Sequence, residues 1–116
     1  MSHAASYKES IQALAAKLKP LGQAIPGTVK GFQALQQAAT APGALDAKTK
    51  ELIALALGVA ARCEGCVAFH AQTLAKVGAT REEVAETLGV AVLMGGGPSM
   101  MWAAEALSAF DEFKSA

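Results

Sequence analysis

The chain has 116 residues, 53% hydrophobic and 17% charged, and its ten Lys and Arg balance ten Asp and Glu. That length fits one domain, 1–116, large enough to bury a core without disulfide staples. Zero net charge, with basic residues scattered singly (Lys30, Lys48, Lys50, Lys76), argues against a nucleic-acid partner, which would call for a basic excess on one face. A charge content below the usual share of about 25% predicts that part of the surface is covered by a partner, most simply another copy of the chain.

The start, Met1-Ser2-His3-Ala4-Ala5-Ser6, is short and polar and lacks the apolar core that secretion needs. The apolar run Leu52 to Ala61 is roughly half a bilayer span. The expectation is a cytoplasmic protein with no membrane partner.

Ala is abundant and runs of β-branched residues are absent, so the expected fold class is all-α, a compact bundle of about six helices. The first runs from about Tyr7 to Leu18, with Ile11, Leu14, Ala15 and Leu18 on one stripe, and stops before Pro20. The second starts near Pro26, where proline suits a first turn, and ends near Thr40 ahead of Pro42-Gly43. The third is capped by Asp46 and passes through Glu51 into a stretch that is apolar all round, which reads as the buried central helix. The fourth begins around Glu64 and runs to Val77, with Gly78 as a left-handed stop. Thr80-Arg81-Glu82-Glu83 has capping-box spacing and opens a fifth helix to about Met94. Gly95-Gly96-Gly97 breaks the chain as a tight turn, and Pro98 starts a sixth helix to about Phe113.

Chemistry concentrates at Cys63, Cys66 and His70. At about 100° per residue these positions fall within roughly 60° of arc on a helix. Cys66 and His70 are one turn apart, with Cβ atoms about 5–6 Å from each other, so the imidazole can take the thiol proton directly or through one water. A nearby histidine and a helix N-terminus both favour the thiolate, which is the reactive species. The spacing also permits a reversible disulfide between Cys63 and Cys66. Glu51 is the last charge before a long uncharged run. If its helix folds back on the next, its carboxylate travels towards His70 and can orient the ring.

This spacing, Glu51, eleven residues, Cys63-x-x-Cys66, three residues and His70, resembles the signature of AhpD-like alkylhydroperoxidases in the carboxymuconolactone decarboxylase superfamily. The Leu-rich helix before the cysteines and the break at Met94-Gly95-Gly96-Gly97-Pro98 are similar too, and the resemblance covers roughly residues 26–113. It implies an all-α fold that oligomerises, often as trimers or hexamers, and reduces hydroperoxides through a cysteine sulfenic acid. By position, Cys66 would attack the peroxide. Cys63 would close the disulfide and donate a proton. His70 and Glu51 would form the proton relay, with a dithiol or protein reductant as partner and no cofactor or metal. One departure is Gly65, where the type enzyme's relatives often carry histidine.

Other readings compete. A metal site would have to draw on Cys63, Cys66, His70, Glu51 and the remote His3, few ligands for structural zinc. The cysteines alone could be small core residues. Glu51 alone reads as a solvated acid near a helix start, and His70 alone as an ordinary histidine. Met94, Met100, Met101 and Trp102 read as core or interface packing, and Glu105 as facing either the site or solvent. Within the same superfamily a decarboxylase or isomerase using His-based proton transfer is an alternative, as is a non-enzymatic oligomeric thiol sensor.

Overall fold

The computed structural model describes residues 6–115, so the Met1–Ala5 start, His3 included, lies outside the described residues. Five helices follow one another: α1 (Tyr7–Ala24), α2 (Pro26–Thr40), α3 (Ala47–Ala60), α4 (Glu64–Lys76) and α5 (Arg81–Ser115). All described secondary structure is helical.

The local signals act where their chemistry demands. Asp46 accepts the Thr49 N–H at 2.7 Å and opens α3. The Thr49 hydroxyl, and then its N–H, hold the Asp46 carboxyl below its usual range. Thr80 and Glu83 form a reciprocal capping box: the Thr80 hydroxyl accepts the Glu83 N–H at 3.1 Å, and the Glu83 carboxylate accepts the Thr80 N–H at 2.8 Å. Gly78 ends α4 with φ of 81°, in the left-handed region that costs glycine nothing.

The core lies where α3, α4 and α5 pack together. Leu55 and Val59 of α3 meet Val67, Ala71 and Leu74 of α4 and Val84, Leu88, Ala106 and Phe110 of α5, all of them buried. Alanines on the inner faces let the helix axes approach closely, so little space is left for repacking. Truncating Leu55 or Leu74, both fully buried, would cost about 2–5 kcal/mol.

Three sequence expectations are corrected. There are five helices, not six, because α5 continues through the glycines with a kink instead of a loop. Gly96 alone leaves helical geometry, at φ 69° and ψ −150°. A proline inside a helix loses a backbone bond and crowds the preceding turn, and the departure at Gly96, two residues before Pro98, relieves that crowding. A Cβ on Gly95 would overlap the buried Ser99 side chain one turn on, so that position has no room for a side chain.

Second, α1 does not stop before Pro20 but carries the proline inside it and ends at Ala24. The turn beyond Pro20 closes with the Ile25 N–H donating to the Leu21 carbonyl at 2.9 Å. The helix gives up one backbone bond at the proline and resumes helical hydrogen bonding beyond it. Third, α3 is not buried all round. Its Glu51, Leu55, Gly58 and Val59 face is buried, but Leu57 on the other side is 63% exposed. Of the residues expected in the core or an interface, Met94, Met100 and Met101 are outside the core of this chain and Trp102 packs partly against it.

Candidate active site

The site grows from the junction of α3 and α4. Glu51 lies on the inner face of α3, two turns before Gly58, and is a buried acid. At the end of α3 the chain makes a six-to-one closure: the Cys63 N–H donates to the Gly58 carbonyl at 3.0 Å, and the Arg62 N–H to the Val59 carbonyl at 3.1 Å. The closure requires a left-handed residue, and Arg62 takes it with φ of 56°. Cys63 is thereby set as the N-cap of α4, and its sulfur accepts the Cys66 N–H at 3.2 Å.

Cys63 therefore sits just ahead of α4, while Cys66 and His70 share a face of the helix itself, one turn apart. Cys63 and Cys66 form a disulfide, with Cα atoms 5.2 Å apart. The two helices touch closely at this point. A Cβ on Gly58 would lie 3.1 Å from the Cys66 Cβ, tighter than most real contacts allow. That approach, with the antiparallel return of α4, brings Glu51 to His70: Oε2 lies 2.6 Å from Nδ1. The side chains of His70 and Glu51 are 19% and 10% exposed. An ionised Glu51 can only accept, so Nδ1 donates to it, and Nε2 is left as the basic nitrogen. All four sequence candidates, Cys63, Cys66, His70 and Glu51, are thus brought together.

The N-terminal helix covers this junction from outside. A Cβ on Gly65 would stand 2.7 Å from Leu14 Cδ2. Gly65 therefore fits under α1 because it has no side chain. Beside this contact a groove of about 390 Å³ runs between α1 and the first turn of α4, bounded by Ile11, Leu14, Lys17, Glu64 and Ala68 among others. The start of α1 is tied to α5. Ser6 accepts the Glu9 N–H at 3.1 Å, and Glu112 accepts the N–H groups of Tyr7 and Lys8 at 3.0 and 2.9 Å. The Tyr7 hydroxyl donates to Glu105 at 3.0 Å, which gives Glu105 its place. Burial, and then the Glu105 carboxylate, push the Tyr7 hydroxyl above its ordinary titration range.

Sequence reasoning missed Gly58, Leu14 and Arg62. Gly58 carried a signal, since a glycine inside a helix costs about 1 kcal/mol against alanine and so suggests a close approach. Leu14 and Arg62 carried none, because their roles depend on contacts or dihedrals set by the assembled fold. Among the described residues, no cluster of three His, Cys, Asp or Glu side chains is arranged to hold a metal ion.

Residues 26–109 match the model of the carboxymuconolactone decarboxylase family. An uncharacterised protein of Cupriavidus necator is 48% identical over 91 residues, 78% of this chain and 80% of that one. A protein of the cox locus of Paracoccus denitrificans, also uncharacterised, is 38% identical over 73% of this chain and 77% of its own length. Among solved structures, a carboxymuconolactone decarboxylase family protein of Legionella pneumophila superposes with a TM-score of 0.90 at 56% identity, covering 93% of this chain and 96% of that one. A Thermotoga maritima family member, for which a part in an antioxidative response has been suggested, superposes with a TM-score of 0.80 at 28% identity, covering 91% of each chain. Fold, motif and sequence agree, and the chain belongs to the carboxymuconolactone decarboxylase family.

Proposed function

We propose that this protein is a thiol-dependent peroxidase or disulfide reductase that reduces hydroperoxides through Cys63 and Cys66, with His70 and Glu51 as a proton relay. The observation that supports this most is the 2.6 Å contact between Glu51 and His70 beside a cysteine pair joined as a disulfide. A structural cysteine pair has no use for a buried acid and base at its flank.

In the reduced protein the Cys66 proton passes to His70, and Glu51 stabilises the resulting imidazolium. The Cys66 thiolate attacks the outer oxygen of a hydroperoxide; the O–O bond breaks, the alcohol leaves with a proton from the relay, and Cys66 becomes a sulfenic acid. The Cys63 thiol then condenses with it, releasing water and forming the disulfide. A dithiol or protein reductant restores both thiols by exchange and is itself oxidised to a disulfide.

Exposed apolar side chains on α2 (Phe32, Leu35), α3 (Ile53, Leu57) and α5 (Leu93, Met94, Met101) support a homo-oligomer, with a trimer or hexamer as the family resemblance implies. No described helix is long and apolar enough to cross a membrane. The reading takes a reducing compartment, the cytoplasm, as its setting, since the cycle needs a supply of thiols.

Stopped-flow reduction of cumene hydroperoxide with dithiothreitol as donor tests the proposal. Cys66→Ser should abolish turnover, and a variant as fast as the wild type would refute the assignment.

A further inference from the structure

The turns that end α3 and α4 use the same device with different residues. At the end of α4 the Ala79 N–H donates to the Leu74 carbonyl at 3.0 Å, and the left-handed residue between is Gly78. At the end of α3 the Cys63 N–H donates to the Gly58 carbonyl at 3.0 Å, and the left-handed residue is Arg62. Arg62 is the one non-glycine residue at positive φ among the described residues. A β-carbon in that region crowds the backbone, and glycine avoids the penalty. The chain accepts glycine where only the turn matters and carries a strained arginine where the turn leads straight into the disulfide. Strain of this kind collects at functional sites.

The arginine's own environment offers no structural reason for it. Arg62 is exposed, and among the described residues no hydrogen bond or ion pair engages its guanidinium. Arg81, by contrast, is held by Asp111 at 2.9 Å. Glu64, the charged neighbour on the other side of Cys63, already has an interaction of its own. What distinguishes Arg62 is therefore an exposed, uncommitted positive charge on the residue directly before Cys63.

We propose that Arg62 is a specificity-determining residue that selects carboxylate-bearing thiols as reductants and directs them to the Cys63 sulfur. This rests on the redox reading above and names the partner chemistry of the same site. The incoming thiolate attacks Cys63 Sγ, the S–S bond breaks, and Cys66 leaves as a thiolate with the electron pair. His70, one turn away, relays to that thiolate the proton that the incoming thiol released on ionising. A second equivalent of thiolate then attacks the outer sulfur of the mixed disulfide, freeing Cys63 and leaving the reductant oxidised. Attack at Cys63 puts the leaving group where the relay can protonate it, and the guanidinium next to Cys63 favours that end for an anionic reagent.

The test is thiol exchange without peroxide, on the oxidised full-length protein. Released protein thiols are alkylated at timed intervals and counted by mass. Mercaptoacetate, 2-mercaptoethanol and cysteamine serve as anionic, neutral and cationic probes, with rates expressed per thiolate. At low ionic strength the wild type should favour mercaptoacetate over 2-mercaptoethanol about threefold to fivefold more than Arg62→Asn does, the size expected for one exposed charge at contact distance. Cysteamine should shift in the opposite direction. Arg62→Lys should keep the preference, and 1 M salt should erase it. Arg62→Gly provides a second neutral variant whose turn is unstrained, in case Arg62→Asn is poorly folded. The same charge preference in the wild type and both neutral variants would overturn the proposal while leaving the redox reading intact. A disulfide that none of the thiols can reduce would overturn both.

Discussion

Leu14 of α1 fills the space that a side chain on Gly65 would need: a Cβ there would lie 2.7 Å from Leu14 Cδ2. The residue between the cysteines and the helix that covers it are thus chosen together. Gly65→Ala should force Leu14 out of its rotamer and cost about 1–3 kcal/mol, the usual range for overpacking. In a Leu14→Ala background the same substitution should cost little. Urea unfolding of the two single variants and the double variant gives the coupling. A Gly65→Ala cost unchanged by Leu14→Ala would remove Leu14 as the reason for glycine.

In the proposed relay Glu51 acts only through His70, so Glu51→Gln should slow peroxide reduction by about tenfold to a hundredfold while leaving the thiols titratable. Glutamine can still hydrogen-bond Nδ1 but cannot balance the imidazolium. Single-turnover rates with pre-reduced protein check this, and thermal melts confirm that the fold persists. An undiminished rate would place Glu51 outside the relay.

Arg62 holds a backbone conformation in which a β-carbon is penalised. Arg62→Gly should stabilise the oxidised protein by about 0.5–1 kcal/mol, less than the full penalty because glycine also loosens the unfolded chain. Denaturant midpoints under non-reducing conditions measure it. A destabilised Arg62→Gly would mean that the arginine supports the turn.

The pin between α1 and α5 should be felt locally. Glu112→Ala leaves the Tyr7 and Lys8 N–H groups uncapped and should cost about 1 kcal/mol, with faster amide exchange confined to the first turn of α1. Tyr7 adds a pH dependence. Its hydroxyl titrates above the ordinary value of 10.0, so the folded state favours the protonated form. That contribution is complete below the unfolded value and lost as pH rises through the folded one. Tyr7→Phe should flatten the alkaline limb of the melting-temperature profile, and an unchanged limb would exclude Tyr7 as its source.

Leu93 and Met94 are 79% and 80% exposed, more than any other large apolar side chain described. If the proposed homo-oligomer buries them, replacing both with glutamate should give monomers in sedimentation or light-scattering measurements. A wild-type monomer at micromolar concentration would refute the assembly altogether.

The sequence alone determined the helical class, the start of α2 at Pro26, the caps at Asp46 and Thr80, the stop at Gly78 and the spacing of Glu51, Cys63, Cys66 and His70. Each is a local signal: a capping side chain, a missing N–H, a missing Cβ or a count of residues along one helix. The tertiary structure alone decided the rest. Only the assembled backbone shows that α1 runs through Pro20 and that Gly96 bends α5 without ending it. For the same reason Leu57 proved exposed on a helix that reads as apolar all round: periodicity tells which residues are apolar, not which faces find a neighbour within one chain. The cover of Leu14 over Gly65 pairs residues 51 positions apart in different helices, and no pattern along the chain encodes such a contact. The link from Glu51 to His70 stands between the two cases, since spacing nominated both residues but the close crossing at Gly58 joins them.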